Sequence, residues 1–152
     1  MATIIKVRLT DYYPFQDGLT ARQKQVEGPQ ADRLGKPLHT LEDYLEGTAP
    51  FVSLACDSTG GPPARAAEFR KYGYRVWLPE VSASANKYTG TPLMMPIMIE
   101  FRLVDTGGHF HGSKKQVRVA GYEPIDVCRR SKPSAETSLS GALTELWLIG
   151  PP

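Results

Sequence analysis

Residues 97–112 read IMIEFRLVDTGGHFHG, and this stretch decides the fold of the chain. Apolar side chains occupy every second position of its first half, at Ile97, Ile99, Phe101 and Leu103. A period of two predicts a strand with one face in the core. Val104 and Asp105 continue the run, and Gly107 and Gly108 favour a turn after it. The predicted strand therefore carries a carboxylate close to its end.

Short runs of the same kind recur along the chain and predict further strands over residues 4–9, 51–56, 72–79, 117–120, 125–128 and 143–149. The run at 51–56 is apolar almost throughout, which is typical of a strand buried on both faces. Five side chains are expected in the core: Ile99, Phe101, Leu103, Leu146 and Leu148. Because closure removes unpaired strand edges, six or seven short strands with few helices favour a barrel over an open sheet.

Helical signals are few. Thr40 as an N-cap, an acidic first turn and Gly47 as a stop predict a short helix in between, and residues 65–71 are compatible with another. Residues 10–37 show no sustained period and are predicted to form an ordered loop. A chain of 152 residues has room for one ordinary core, so residues 1–152 are expected to form a single domain.

The composition excludes several function classes. A net charge of +2, from 18 basic and 16 acidic side chains, gives no electrostatic footprint for nucleic acid. No apolar run is long enough for a membrane span, and the first residues lack the pattern of an export signal. Two cysteines do not make a disulfide framework or a tetrahedral metal site. No cofactor is expected.

Three aspartates lie in settings that would hold a carboxylate rigidly. Asp126 lies between Ile125 and Val127, where desolvation is expected to raise its pKa and suit it to general acid work on a glycosidic bond. The alternative is an exposed residue on an edge strand. Asp57 and Asp105 precede glycine-rich turns, which such aspartates also favour for purely structural reasons. We expect all three to converge at strand ends on one side of the barrel.

The segments Ala55-Cys56-Asp57, Asp105-Thr106-Gly107-Gly108 and Ile125-Asp126-Val127, with Gly112, carry a family resemblance. They resemble the Ala-x-Asp, Asp-Thr-Gly-Gly-x-x-x-Gly and Ile-Asp-Val elements of the three-aspartate (3D) domain and of the catalytic barrel of membrane-bound lytic transglycosylase A. The resemblance implies a mostly-β, double-psi-like barrel of six to seven strands with one or two short helices. It also implies a domain directed at peptidoglycan glycan strands, acting in the periplasm or cell wall.

Lytic transglycosylases use one aspartate first as acid and then as base, closing a 1,6-anhydro ring without water. The resemblance assigns that role to Asp126, a supporting role to Asp105, and the Ala-x-Asp position to Asp57. Expected substrate-binding residues are Gly107, Gly108, His109, His111, Tyr12 and Tyr13. The alternative is a non-enzymatic cell-wall-binding or structural barrel module of a phage tail or secretion assembly, because fold does not fix function.

Other side chains leave alternatives open. His109 and His111 would face the same way in an extended segment, as a metal pair requires, but loop histidines are more often solvated or substrate-facing. Cys56 and Cys128 are candidates for a nucleophile, for a close thiol pair, or for small buried hydrophobes. Further aromatic side chains could stack on sugars or fill the core: Phe15, Tyr72, Tyr74, Trp77 and Tyr88. A basic group could attract peptide-stem carboxylates but is expected to be a solvated face: Lys114, Lys115, Arg118, Arg129, Arg130 and Lys132.

Overall fold

The computed structural model describes residues 3–57, 71–79, 81, 99–107 and 121–151. Their elements in chain order are β1 (Thr3–Tyr12), α1 (Ala21–Glu27), α2 (Leu41–Leu45), β2 (Val52–Asp57), β3 (Tyr74–Trp77), β4 (Phe101–Gly107), β5 (Glu123–Cys128) and β6 (Leu143–Gly150). The strand predicted at 117–120 lies outside the described residues, as does nearly all of the helix predicted at 65–71.

The six strands close into a barrel in the order β1-β5-β2-β4-β3-β6. β1 pairs with β5 in parallel, as β2 does with β4, and the other four neighbouring pairs are antiparallel. The predicted mostly-β barrel with two short helices is confirmed. Among the six neighbouring pairs of described strands, only β3 and β4 follow each other along the chain.

The interior of the barrel is filled by every second residue of its strands. Members of this core include Val7, Leu9, Leu54, Cys56, Phe101, Leu103, Ile125, Val127, Leu146 and Leu148. The five side chains that the sequence places in the core are each at most 3% exposed, which confirms the prediction. Full burial of one such side chain contributes roughly 1.5–3 kcal/mol. Because a slip of one residue would move all of these side chains out of the core, their burial is the main factor that sets strand register.

A second apolar layer covers the opposite side of β1, β5, β2 and β4. We call it the outer layer, and it consists of Tyr12, Leu38, Ala55, Val104 and Cys128, with Phe15, Phe51 and Tyr72 packed against it. The outer layer explains why residues 52–56 are buried throughout, as the apolar run of β2 predicts. The segment that follows β1 supplies Phe15 and Leu38 to this cover.

The pairing of β2 with β4 contains a register shift. Leu54 pairs with Leu103, but the next residue, Ala55, pairs with Asp105, so Val104 is an extra residue on β4. Such a bulge changes the direction of the strand locally. Val104 packs into the outer layer by ordinary alternation after the buried Leu103, and the bulge places Asp105 on that same side.

A threonine N-cap precedes each of the two described helices. In α2, the Thr40 hydroxyl accepts a hydrogen bond from the Asp43 N–H at 3.1 Å, which confirms the predicted helix. α1 lies in the segment predicted to be a loop, and that part of the prediction is wrong. Its residues 21–25 are all exposed, so no apolar stripe marked it. The available signal was the capping box formed by Thr20 and Gln23.

Arg129, directly after β5, is 1% exposed, so its prediction as part of a solvated basic face is wrong. Its Nη1 donates to Asp11 at 2.7 Å and its Nε donates to Glu42 at 2.8 Å. Asp11 belongs to β1 and Glu42 to α2, so the guanidinium connects these two elements through its ion pairs. We call Arg129, Asp11 and Glu42 the Arg129 cluster. Arg130, by contrast, is exposed and pairs with Asp43 and Glu46.

Candidate functional site

β2 lies between β4 and β5, and one of its residues pairs with an aspartate on each side. Ala55 is the register partner of Asp105 on β4 and of Asp126 on β5. Paired residues on neighbouring strands project to the same side of a sheet, here the side of the outer layer. The two aspartate backbones are separated by two strand spacings, about 10 Å. We call Ala55, Asp105 and Asp126 the aspartate face.

Asp126 projects outward because its neighbours Ile125 and Val127 point into the core, where both are fully buried. Its side chain is half-buried and accepts a hydrogen bond from the hydroxyl of Thr10, its register partner on β1. The carboxylate is therefore held by a side chain of the adjacent strand. A restrained carboxylate of this kind meets the positional requirement of a general acid or base.

Asp105 is held through both of its oxygens. Its Oδ1 accepts a hydrogen bond from the Thr106 N–H at 2.9 Å, and its Oδ2 accepts one from the Tyr12 hydroxyl at 3.4 Å. Burial raises the pKa of Asp105, and the nearby carboxylate of Asp32 raises it further. The burial-raised pKa of Asp126 that the sequence predicts stays a prediction, and the structure adds such a shift at Asp105.

Tyr12 lies beneath the aspartate face. It is 5% exposed, and its burial, together with Cys128, Asp105 and Asp126, raises its pKa well above the ordinary value. Tyr12 therefore stays protonated and acts as a hydrogen-bond donor. Its ring offers little surface for the stacking on sugars that the sequence suggests. Tyr13 is half-buried, and its N–H donates to Glu27 at 3.0 Å.

The remaining predicted site residues lie at or beyond the ends of β2 and β4. The backbone of Asp57 is the last position of β2 and pairs with Gly107, the last position of β4. The three predicted aspartates lie on three adjacent strands, Asp126 on β5, Asp57 on β2 and Asp105 on β4. Three predicted substrate-binding residues lie outside the described residues: Gly108, His109 and His111.

The two cysteines are not joined by a disulfide and lie on opposite sides of the sheet, Cys56 in the core and Cys128 in the outer layer. Their thiols are therefore not the close pair that the sequence left open. Burial raises the pKa of the Cys128 thiol, so at neutral pH it remains protonated and is a poor nucleophile. Within the described ranges, no three His, Cys, Asp or Glu side chains are grouped to hold a metal ion.

Asp32 is a site residue that the sequence analysis missed. It is 6% exposed and organises residues 31–37, which we call the Asp32 loop. Its Oδ1 accepts hydrogen bonds from the N–H groups of Leu34 and Lys36, both at 2.9 Å, and its Oδ2 accepts one from the Tyr72 hydroxyl. The local signal was the Asp-Arg-Leu-Gly sequence, in which Gly35 adopts a φ of 77°.

The Asp32 loop lies against β4, because the Arg33 N–H donates to the carbonyl of Val104 at 3.3 Å. Beside it is a cavity of about 360 Å³, which we call the side pocket. Its lining combines charged groups with aromatic rings and includes Asp32, Lys36, His39, Phe51, Tyr72 and Arg102. Val104 also lines the side pocket and directly precedes Asp105, so the pocket adjoins the aspartate face.

No protein family model, curated protein or solved structure matches this chain. The likeness to the three-aspartate domain therefore depends on the three quoted motifs, whose described parts lie on β2, β4 and β5. In the part of the chain that the structure describes, neither helix is long and apolar enough to cross a membrane.

Proposed function

We propose that this barrel is a peptidoglycan-directed domain that cleaves glycan strands as a lytic transglycosylase, with Asp126 as acid and base. One observation carries the proposal: Asp105 and Asp126 pair with the same residue, Ala55, and so share one side of the sheet. Residues from separate sequence motifs are thereby adjacent in space, as a shared site requires. The backbone of Asp57 lies on the strand between them.

In the proposed reaction, the Asp126 carboxyl donates its proton to the glycosidic oxygen while the bond from that oxygen to the anomeric carbon breaks. Positive charge develops on the ring as the bond breaks. The Asp126 carboxylate then takes the proton of the muramoyl 6-hydroxyl, and the hydroxyl oxygen bonds to the anomeric carbon. The product is a 1,6-anhydro end, and no water is consumed.

Asp105 supports this cycle through its charge state. Its burial-raised pKa favours the neutral carboxyl more than that of an ordinary aspartate. When Asp105 is neutral, the Asp126 carboxylate that forms after proton donation is not repelled by a second charge. Tyr12 fixes the position of Asp105 through its hydroxyl, since that hydroxyl remains protonated.

A second candidate is a non-enzymatic cell-wall-binding or structural module of a phage tail or secretion assembly. Limited exposure around the two aspartates favours it. Ala55, between them, is 3% exposed and Tyr12, which contacts Asp105, is 5% exposed, so neither offers much surface to a glycan. A glycan would need the carboxylates themselves, which are half-buried, to be within reach. Binding without cleavage is the expected behaviour of this candidate.

The two candidates differ in what the protein releases from purified peptidoglycan sacculi. For a transglycosylase, mass analysis of the soluble fraction should find muropeptides with 1,6-anhydro ends. Products with free reducing ends would contradict the proposed chemistry and indicate hydrolysis. Sedimentation of the protein with sacculi, without released product, would favour the module. If the protein neither releases product nor sediments with sacculi, a peptidoglycan role is refuted.

A further inference from the structure

The side pocket combines positive charge with flat rings. The Nζ of Lys36 lies 5.6 Å from the ring centroid of Tyr72, and the guanidinium carbon of Arg102 lies 4.6 Å from that of Phe51. Arg33 lies over the same Tyr72 ring at 5.7 Å. Cations held over rings in this way keep donors available for a further acceptor. The pocket wall is therefore suited to an anion that also has apolar atoms.

The carboxylates near the side pocket are already engaged. Both oxygens of Asp32 accept hydrogen bonds from the Asp32 loop and Tyr72, and Glu100 pairs with Arg102 at 2.5 Å. Arg102 uses its Nε and Nη2 in that pair. Lys36 takes part in none of the ion pairs between described residues. Its ammonium group is consequently the cation most available to a ligand.

We propose that the side pocket binds the carboxylate of a muramoyl substituent while the glycan strand extends over the aspartate face. This inference rests on the proposed function. The carboxylate belongs either to the lactyl group itself or to the stem peptide attached to it. Lys36 and Arg102 pair with the carboxylate, while Phe51 and Tyr72 contact the apolar atoms beside it.

Size and position support this assignment. A cavity of about 360 Å³ holds a lactyl group or one or two amino acids more readily than a disaccharide. Val104 belongs to the pocket wall, and Asp105 is the next residue on β4. A substituent in the pocket would therefore fix which sugar of the strand lies over Asp105 and Asp126. Selection of the muramoyl residue follows from the charge of its substituent.

Isothermal titration calorimetry with three glycans of equal length tests the inference. The probes are chitotetraose, which is neutral, a tetrasaccharide of alternating N-acetylglucosamine and N-acetylmuramic acid with free lactyl groups, and the same tetrasaccharide carrying stem dipeptides. Both acidic probes should bind about tenfold more tightly than chitotetraose, a difference that one charge-assisted pair can supply. Preference for the dipeptide probe alone would identify the stem peptide as the source of the carboxylate.

Two variants and a control connect the preference to the pocket. Lys36→Gln and Arg102→Gln should each remove most of the preference for acidic probes and leave chitotetraose binding unchanged. Lys132→Gln removes an exposed lysine from the connection after β5 and should change neither. Thermal unfolding verifies that each variant is folded.

The outcomes separate this inference from the proposed function. Equal binding of all three probes, or a preference that survives Lys36→Gln and Arg102→Gln, would overturn the side-pocket assignment and leave the proposed function standing. If no probe binds and sacculi are neither bound nor cleaved, the peptidoglycan role itself fails. A preference that Lys132→Gln also removes would attribute selectivity to overall charge and contradict the pocket.

Discussion

Two charged regions outside the barrel core are built in opposite ways. In the Arg129 cluster, one buried cation pairs with Asp11 and Glu42. On the aspartate face, two carboxylates share one side of the sheet with Asp32 nearby, and none of the ion pairs between described residues includes Asp105. The first region pairs charges of opposite sign, and the second brings acidic side chains together without a cation of the described residues in an ion pair with Asp105.

This difference separates a structural role from a functional one. Buried charges with well-placed partners connect elements, and the Arg129 cluster joins β1 and α2 to the end of β5. Carboxylates with raised pKa values and few compensating charges reduce stability and are typical of sites that move protons. Stability and activity are therefore expected to depend on different residues, and the following variants test that separation.

The largest expected effect concerns the Arg129 cluster. Arg129→Met leaves the buried Asp11 carboxylate without its cation and should lower the free energy of unfolding by about 3–5 kcal/mol. Arg130→Gln, at the adjacent exposed position, should lower it by at most about 1 kcal/mol. Urea unfolding of both variants provides the measurement. Similar losses in both would contradict the assignment of Arg129 as a structural link.

The second effect concerns activity. If the barrel cleaves glycan, Asp126→Asn should slow product release by about 100-fold or more, because an amide can neither donate nor recover the proton. Sacculus binding and the unfolding midpoint should change little. Cys128→Ala and His109→Ala should retain substantial activity, since neither residue donates or accepts the proton in the scheme. An active Asp126→Asn protein would eliminate the acid and base assignment.

The third effect is smaller and concerns the contact between Tyr12 and Asp105. Tyr12→Phe removes the hydroxyl that donates to Asp105, a bond that lowers the pKa of that carboxyl. The pKa of Asp105 should therefore rise further, and the free energy of unfolding should fall by about 1 kcal/mol. Carboxyl carbon chemical shifts followed against pH report the pKa. Tyr13→Phe is the matched control, and an equal shift there would refute the assigned contact.

The smallest effect is a gain in stability. The folded-state pKa of Asp105 is raised, so folding favours its neutral form and stability falls as pH rises from the unfolded value of about 3.9 through the folded value. Asp105→Asn stays neutral and should unfold at a higher temperature than the unmodified protein at pH 7. The gap should narrow at pH 3.5. A variant that is less stable at pH 7 would show that the Asp105 charge is compensated.

Local patterns predicted the elements of the barrel but not all of their surroundings. Alternation at Phe101 and Leu103 identified β4, and the Thr40 cap identified α2, because both signals lie within a few residues. The burial of Arg129 depends on Asp11, which is 118 residues away in the sequence. No local window contains such a partner, so the exposed prediction was the natural error.

The candidate site shows the same limit. The sequence identified Asp105 and Asp126 as carboxylates on strands, but not that β2 would lie between them. It missed Asp32, whose position depends on a contact with Tyr72, 40 residues later. Strand order and loop docking result from packing of the whole domain, and periodicity reports only which side of a strand a residue occupies.

The extra residue at Val104 determines which side of the sheet each later residue of β4 faces. With an unbroken register, Ala55 would pair with Val104 and Cys56 with Asp105, and the carboxyl would project into the interior alongside the Cys56 thiol. One inserted position therefore turns an odd-numbered core site into an outward one. Deletion of Val104 would remove the bulge and keep Asp105 opposite Ala55, so the outward acid tolerates loss of the extra residue but not a register that pairs Ala55 with Val104.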